Sequence, residues 1–347
     1  MGLLNFFLRH KQSSQKIGTN PTLVNSVNLV NSTPTVSFSG ETIGIKSIDF
    51  VGQASKSESG EWLICWADYD IKTIDKDFLI RVGDREGGKG SYLLYNTIQS
   101  EIVTKGELER PNSGAVANNG YFSIEEWGFS GSGLSAVFYV YSPLGEIIIK
   151  RIFQANIFNS AISKDGKFAV CQTCHNSSGP DGNLLIFFDL TKKGELFSVH
   201  PIEQWAEKYD FLEDEQILIV TLKDIGEFRY DKFGTFLDYA AYNSARLACS
   251  NYGVILRAAD EFLKKPNLDQ RRIETILDAI LRARSLGADA DQGNKLFALK
   301  LQGLALESLG KGNAALAVYE DALKINPKIG VKRKADALRK KLGRNAS

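Results

Sequence analysis

Short apolar runs alternate with polar turn residues through most of this chain. Between about residues 36 and 240, runs such as Trp62–Trp66, Ala136–Tyr141 and Ile217–Leu222 are separated by clusters of Gly, Asp, Asn and Ser. Runs of about four to eight apolar and aromatic residues between turn signals are typical of β-strands. A short stretch, Ile202–Tyr209, has helical spacing instead. The pattern predicts that this part of the chain consists mainly of strands.

The clearest strand pair lies in the stretch Ser160–Leu190. A turn with a glycine at Ser163–Lys167 precedes the apolar run Phe168–Cys171, and a Gly-rich segment separates that run from Leu184–Phe188. Two apolar runs joined by such turns favour two neighbouring antiparallel strands.

The strand pattern repeats along the chain. Tyr95, Tyr141, Phe188 and Tyr230 each end an apolar run, at intervals of roughly 40–50 residues. The last three are each followed by a further short run. These following runs are Glu146–Lys150, Glu195–Val199 and Thr235–Tyr239. A repeat of this length with four strands predicts stacked four-stranded sheets, because one such sheet cannot bury both of its faces alone.

Residues 36–240 resemble the WD40-like β-propeller superfamily. The Ser163–Lys167 turn and the Leu184–Leu190 strand carry the likeness, and Phe188-Asp189 stands nearest to the family's Trp-Asp pair. The resemblance implies about four to five blades. At that number the ring can be incomplete, with its strand edges covered by the helical tail or by a second subunit of an oligomer.

From about residue 244 the apolar period changes to that of helices. The expected helices are 253–264, Arg271–Leu286, a pair within Leu296–Pro327, and Gly330–Leu342. We therefore expect a multidomain β + α protein with three parts. They are a flexible N-terminal segment (1–35), a propeller-like domain (36–240) and an α-helical domain (241–347).

Residues 271–342 resemble tetratricopeptide repeats, most specifically in Leu296–Pro327. We align Pro327 with the proline of the motif. The large apolar, small, turn-glycine and aromatic positions of the motif then fall on Leu299, Gly303, Gly310, Ala315, Tyr319 and Ala322. The resemblance implies that Gly303 and Ala322 allow close helix contact and that Tyr319 fills the space between repeats. It also implies a protein-binding groove on the first helix, formed by Phe297, Lys300, Leu304, Glu307 and Ser308.

Composition narrows the class of protein. The apolar fraction of 43% permits sizeable cores, and a net charge of +1 excludes a globally basic nucleic-acid binder. No apolar run is long enough for a transmembrane helix. Four cysteines are too few for a disulfide scaffold, which favours the reducing cytoplasm.

Three motifs resemble ligand sites. Cys171-Gln-Thr-Cys174-His175 matches a haem-attachment pattern and could supply three zinc ligands. It lies within the best predicted strand pair, however, which favours buried thiols. The Gly83–Gly90 loop precedes a strand where a phosphate loop needs a helix. The carboxylates Asp68, Asp70, Asp75 and Asp77 fit no calcium-loop spacing. We predict no cofactor and no metal.

The last predicted helix is strongly basic. Its cations, with those beside it, are Lys328, Lys332, Arg333, Lys334, Arg339, Lys340, Lys341 and Arg344. Such a face is typical of a solvated cap, and it can also contact an acidic partner or a nucleic-acid backbone.

The sequence as a whole predicts a non-catalytic interaction or scaffold protein, not an enzyme, with other proteins as partners. Two alternatives stay open. One is a propeller hydrolase or lyase with carboxylates at a central channel, and the other is a nucleic-acid-associated factor that uses the basic helix.

Overall fold

The structure of the protein, a computed structural model, is described for residues 36–39, 42–68, 89–128, 134–177, 179–202 and 205–343. The predicted N-terminal segment, residues 1–35, lies outside these ranges. Within them the chain forms antiparallel sheets in a propeller-like arrangement followed by six helices. None of the described helices is both long and apolar enough to cross a membrane.

The first sheet has six strands in sequence order. They are β1 (Val36–Ser39), β2 (Thr42–Ile45), β3 (Phe50–Lys56), β4 (Trp62–Ala67), β5 (Gly90–Asn96) and β6 (Glu101–Leu108). Ile43 and Ile45 of β2 belong to one hydrophobic cluster with Leu63 of β4 and Leu93 of β5.

The second and third sheets have four strands each. The second contains β7 (Pro111–Val116), β8 (Phe122–Trp127), β9 (Ala136–Tyr141) and β10 (Ile147–Phe153). The third contains β11 (Ile157–Ile162), β12 (Phe168–Thr173), β13 (Leu185–Asp189) and β14 (Gly194–Val199). Strands β12 and β13 pair antiparallel, which confirms the prediction for Ser160–Leu190.

The fourth sheet has three strands within the described residues. They are β15 (Lys208–Leu212), β16 (Ile217–Leu222) and β17 (Gly226–Tyr230). The predicted fourth strand, Thr235–Tyr239, is wrong, because only Phe236 makes an isolated bridge, to Tyr230, and a helix begins at Tyr239. The helical spacing at Ile202–Tyr209 does not correspond to a helix at its end. Tyr209 lies in strand β15, where its side chain is buried and its neighbours are more exposed.

Successive sheets stack face to face through aromatic side chains. The ring centroids of Tyr92 and Tyr141 lie 5.4 Å apart between the first and second sheets. Phe138 and Phe188 lie 5.6 Å apart between the second and third, and Phe187 and Phe211 lie 6.1 Å apart between the third and fourth. The central strands are therefore covered on both faces, and all six residues of β12 are buried. This explains why their sequences are continuous apolar runs and do not alternate.

The six helices of the described chain follow the fourth sheet. They are α1 (Tyr239–Ala248), α2 (Tyr252–Leu263), α3 (Gln270–Ser285), α4 (Gln292–Ser308), α5 (Gly312–Ile325) and α6 (Lys332–Lys341). The side chains of Asn251, Asp269 and Asp291 accept backbone N–H hydrogen bonds at the starts of α2, α3 and α4. These caps satisfy donors that the first helical turn leaves free.

The α4–α5 hairpin closes around a glycine. Gly303 of α4 lies against the ring of Tyr319 of α5, and a Cβ atom added at Gly303 would be within 2.5 Å of Tyr319 Cδ1. Tyr319 is fully buried, and its hydroxyl donates to Glu307 Oε2 over 2.9 Å. The close helix contact expected at Gly303 is present. The Tyr319 ring contacts α4 of its own hairpin, whereas the resemblance to tetratricopeptide repeats implied that it fills the space between repeats.

The described chain divides into two compact units. The first runs to Thr221 and includes Arg229–Phe236, and the second contains Leu222–Phe228 and the residues from Leu237. The second unit has one hydrophobic core that draws on all six helices.

Candidate functional site

A cavity of about 490 Å³ is lined by strands of the first, second and third sheets. Strands β3, β7 and β11 contribute to its wall, together with β4 and β8. The lining residues are Gln53, Ala54, Trp66, Asn112, Ser113, Glu125, Trp127, Phe158, Asn159 and Ser160. The cavity is open to solvent, and its lining combines polar and aromatic side chains.

Glu125 is the buried carboxyl of the cavity. Only 2% of the residue is exposed, and its Oε1 accepts a 2.7 Å hydrogen bond from the Ser160 hydroxyl. Burial is the larger effect and raises the pKa of Glu125, and the hydrogen bond from Ser160 partly offsets it. The Trp127 indole nitrogen is also buried and makes no hydrogen bond within the described residues. The carboxyl is thus poorly solvated, with the Ser160 hydroxyl as its hydrogen-bond donor.

Aromatic side chains form the apolar part of the wall. The Trp66 indole nitrogen donates to Gln53 Oε1 over 3.1 Å and to the Asn112 carbonyl over 3.0 Å, which fixes the plane of its ring. Phe158 stacks on Trp205 with centroids 4.9 Å apart and an interplanar angle of 18°. Both stacked residues are 43% exposed, so a large aromatic surface stands in solvent beside the cavity.

A polar network anchors β11 next to this aromatic pair. Asn159 Nδ2 donates to the Ala206 carbonyl over 2.6 Å, and the Tyr209 hydroxyl lies 2.7 Å from Asn159 Oδ1. The same hydroxyl lies 3.0 Å from Gln172 Oε1, which also accepts from the Ala206 N–H. Asn159 is therefore held rigidly at the cavity wall.

The hydrolase or lyase alternative requires several carboxylates at one place. Among its described lining residues, Glu125 is the sole ionisable group, so several carboxylates do not converge there. No cluster of three His, Cys, Asp or Glu side chains that could hold a metal ion occurs within the described residues. The chemistry available is that of one carboxyl, several amides and aromatic surface.

Sequence inspection missed Glu125 as a site residue. The signal was a charged residue inside the strand sequence Phe-Ser-Ile-Glu-Glu-Trp of β8, where buried acids are rare. Its neighbour Glu126 is less buried, and its Oε2 accepts from the Glu109 N–H over 2.9 Å. Only the stacking of sheets shows which of the two faces the cavity.

The residues of the predicted groove all lie on α4. Phe297 and Leu304 are half-buried and pack against the core of the helical unit. Glu307 accepts from Tyr319 of α5 and from Lys334 Nζ of α6 over 2.9 Å. Lys300 is half-buried and Ser308, the last residue of α4, is exposed.

The helical unit has a second, smaller cavity of about 330 Å³. Its lining residues are Tyr239, Ala240, Asn243, Ser244, Phe262, Lys265, Leu268 and Arg272. The cations Lys265 and Arg272 lie over the Phe262 ring, at 4.9 and 5.2 Å from its centroid. These cations already have an aromatic partner, which accounts for their position.

The Cys171-x-x-Cys174-His175 motif does not form a site in this structure. Cys171 is fully buried between the second and third sheets, Cys174 is half-buried, and His175 is exposed with its Nδ1 2.9 Å from Asn183 Nδ2. Burial raises the pKa of both thiols. All four cysteines lie in described parts of the chain and are free thiols.

The other two motifs lie largely outside the described residues. Residues 83–88 of the Gly-rich loop are not described, and neither are Asp70, Asp75 and Asp77. Of the acidic group, Asp68 is described and pairs with Arg110 over 3.4 Å.

The basic helix α6 has two kinds of cation. Lys334 pairs with Glu307, and Arg339 pairs with Glu320 and Asp336. In contrast, four cations are exposed and have no ion pair within the described residues, namely Lys332, Arg333, Lys340 and Lys341.

No known protein family and no curated protein matches this chain. Among solved structures, the chain is similar to the Dos1 propeller, at 13% identity and a TM-score of 0.34 over 53% of this chain and 45% of that one. It is also similar to HIRA(644-1017), at 9% identity and a TM-score of 0.37 over 92% and 99% of the two chains.

A third similar structure is the complex of KlAtg21 with the coiled coil of AgAtg16, at 9% identity and a TM-score of 0.36 over 55% and 58% of the two chains. The matched regions cover less than two thirds of the Dos1 chain and of the matched chain in the Atg21 complex. At these identities and TM-scores the likenesses carry no inference about function.

Proposed function

We propose that this protein is a non-catalytic interaction protein that binds segments of other proteins. The observation that carries the proposal is the exposed Phe158–Trp205 stack beside the Glu125 cavity. Aromatic side chains that are rigid, partly exposed and next to a pocket are the residues that most often dominate binding energy at protein interfaces. A cavity with one carboxyl and fixed amides adds specificity to such a surface.

The helical domain supplies a second proposed surface. We take its hairpins to be tetratricopeptide-like, with a groove on α4 formed by Phe297, Lys300, Leu304, Glu307 and Ser308. Support comes from the glycine contact at Gly303 and from the polar last helix, as terminal repeats require. Glu307 already binds Tyr319 and Lys334, so Lys300 and Ser308 would make the polar contacts.

The same proposal includes the organisation and location expected from the sequence. The three parts are residues 1–35, 36–240 and 241–347, and the compartment is the cytoplasm. The four free thiols agree with a reducing environment. An oligomer remains part of the proposal, because a second copy could cover exposed strand edges.

The test compares partner capture by the full-length wild type and three full-length variants. The Phe158→Ser/Trp205→Ser double variant should lose proteins that cross-link to the wild type at β11, whereas the control Ile98→Ser, another exposed apolar residue, should keep them. Lys300→Glu should remove the set that cross-links to α4. Cross-linking mass spectrometry identifies both sets. An unchanged set in the Phe158/Trp205 double variant would contradict the proposed function, and an unchanged set in Lys300→Glu would contradict the groove on α4.

A second candidate function is favoured by the unpaired cations of α6. Lys332, Arg333, Lys340 and Lys341 form a basic surface that could contact a nucleic-acid backbone. Binding of a fluorescent RNA or DNA duplex should then weaken steeply with salt and disappear when these four residues are changed to Gln. Equal binding by that variant and the wild type would exclude this function.

A further inference from the structure

The Glu125 carboxyl has no cationic partner among the described lining residues of the cavity. It is 2% exposed, and none of the cavity-lining residues is Lys, Arg or His. A buried carboxylate without a cationic partner is costly, so proteins normally pair it or keep it protonated. Here burial is the larger effect and raises the pKa of Glu125, although the Ser160 hydroxyl donates to the carboxyl. The empty site therefore favours the neutral carboxyl, and a cation that entered the cavity would supply the positive charge that the described lining residues lack.

The rest of the wall matches a planar cation. Gln53 Oε1 and the Asn112 backbone carbonyl accept from the Trp66 indole, and Asn159 Oδ1 accepts from Tyr209, so these carbonyl oxygens stand at fixed positions in the cavity wall. Trp66, Trp127 and Phe158 provide aromatic surface in the same cavity. A guanidinium group combines these needs, because it stacks on aromatic rings, pairs with carboxylates and is less strongly hydrated than an ammonium group.

We propose that this cavity binds a guanidinium group, with the Glu125 carboxylate as its counter-ion and with Trp66, Trp127 and Phe158 as its aromatic wall. The inference rests on the proposed function, because an arginine side chain of a bound protein segment is the source that fits an open cavity of about 490 Å³. A small molecule that carries the same group is the other source, and the test separates the two.

Binding should be linked to pH through Glu125. A cation favours the ionised carboxyl, so affinity should rise with pH as Glu125 loses its proton. The ionisable groups near it are the thiols of Cys171 and Cys174, and burial raises the pKa of both, which keeps them neutral at pH 7. Glu126 accepts from the Glu109 N–H and is not part of the cavity wall.

The experiment is a titration of full-length protein with argininamide and with citrullinamide, its neutral isostere, followed by tryptophan fluorescence. Trp66 and Trp127 line the cavity, so ligand entry should change the signal. Argininamide should bind and citrullinamide should not. Glu125→Gln keeps an acceptor for Ser160 and should weaken argininamide binding about 10- to 100-fold, the usual worth of a charged hydrogen bond.

Glu126→Gln is the matched control and should bind like the wild type. A blocked Gly-Arg-Gly peptide that binds more tightly than argininamide identifies a protein segment as the source, and equal affinity identifies a small molecule. Equal binding of argininamide and citrullinamide by the wild type would overturn the proposal, as would tight binding by Glu125→Gln or an equal affinity for lysinamide. If argininamide binds while the Phe158/Trp205 variant keeps all its protein partners, the proposed function fails and the guanidinium site stands.

Discussion

The contact between Gly303 and Tyr319 makes a sharp prediction about the helical unit. A Cβ atom at Gly303 would lie within 2.5 Å of Tyr319 Cδ1 and nearer still to Cε1. Carbon atoms pack at about 3.5–4.0 Å, so the ring would have to retreat by about 1 Å or more. Tyr319 is fully buried and hydrogen-bonded to Glu307, which leaves it little room to move.

The expected magnitude follows from two opposing effects. Replacing Gly by Ala inside a helix normally stabilises the helix by about 1 kcal/mol. Adding a methyl group to a packed core costs about 1–3 kcal/mol. The net loss is therefore at most about 2 kcal/mol, and the close contact with a fully buried ring favours the upper half of that range. We expect Gly303→Ala to lower the free energy of unfolding of the helical unit by about 1–2 kcal/mol, and Gly303→Val to lower it further.

The assay is urea denaturation followed by circular dichroism at the helical minimum. All four tryptophans lie at or before Trp205, so fluorescence reports on the first unit and serves as the internal reference. Gly312→Ala is the matched control, because its added methyl group would meet nothing closer than Leu338 Cδ2 at 3.7 Å. In a Tyr319→Leu background the cost of Gly303→Ala should shrink, since the clashing ring atoms are gone.

The result that would refute this reasoning is a Gly303→Ala protein as stable as the wild type, or more stable, with a gain like that of Gly312→Ala. Helix propensity would then outweigh packing at Gly303, and the α4–α5 hairpin would be looser than described. A loss of the fluorescence transition alone would place the damage in the first unit and would equally contradict the prediction.

Three further predictions follow from single side chains. Asn251→Ala should destabilise the helical unit by about 1 kcal/mol because α2 loses its N-cap, and Asn251→Asp should not, as judged by the same circular dichroism transition. Because the pKa of Glu125 is raised in the folded state, its contribution to stability is present at low pH and is lost as pH rises through the raised value. The loss should be at most about 1.4 kcal/mol per pH unit. Urea denaturation followed by fluorescence across a pH series should show it in the wild type and not in Glu125→Gln. Iodoacetamide at pH 8 should label Cys174 well before Cys65 and Cys171 in native protein, because burial protects the last two and raises the pKa of Cys65 to about 12; equal labelling rates by peptide mass spectrometry would contradict the packing of the sheets.

Much of the fold was accessible from the sequence because it depends on local periods. The apolar runs ending at Tyr95, Tyr141, Phe188 and Tyr230 each became a strand of a different sheet, and the 3.6-residue spacing after the sheets became helices. Period and turn chemistry act over a few residues, so a sequence displays them directly. The prediction of a strand at Thr235–Tyr239 was wrong because it relied on local pattern alone. Nothing in that stretch itself shows that a helix begins at Tyr239.

The candidate site could not be found in this way. The cavity is assembled from Gln53, Asn112, Glu125 and Ser160, which are far apart in the sequence and lie on three different sheets. Which face of a strand is covered depends on strand register and on the neighbouring sheet, and a shift of one residue would exchange Glu125 with Glu126. The sequence alone determined most of the elements and their repeat. Only the stacking of the sheets decided that one carboxyl would be buried in an aromatic cavity whose described lining residues include no cation.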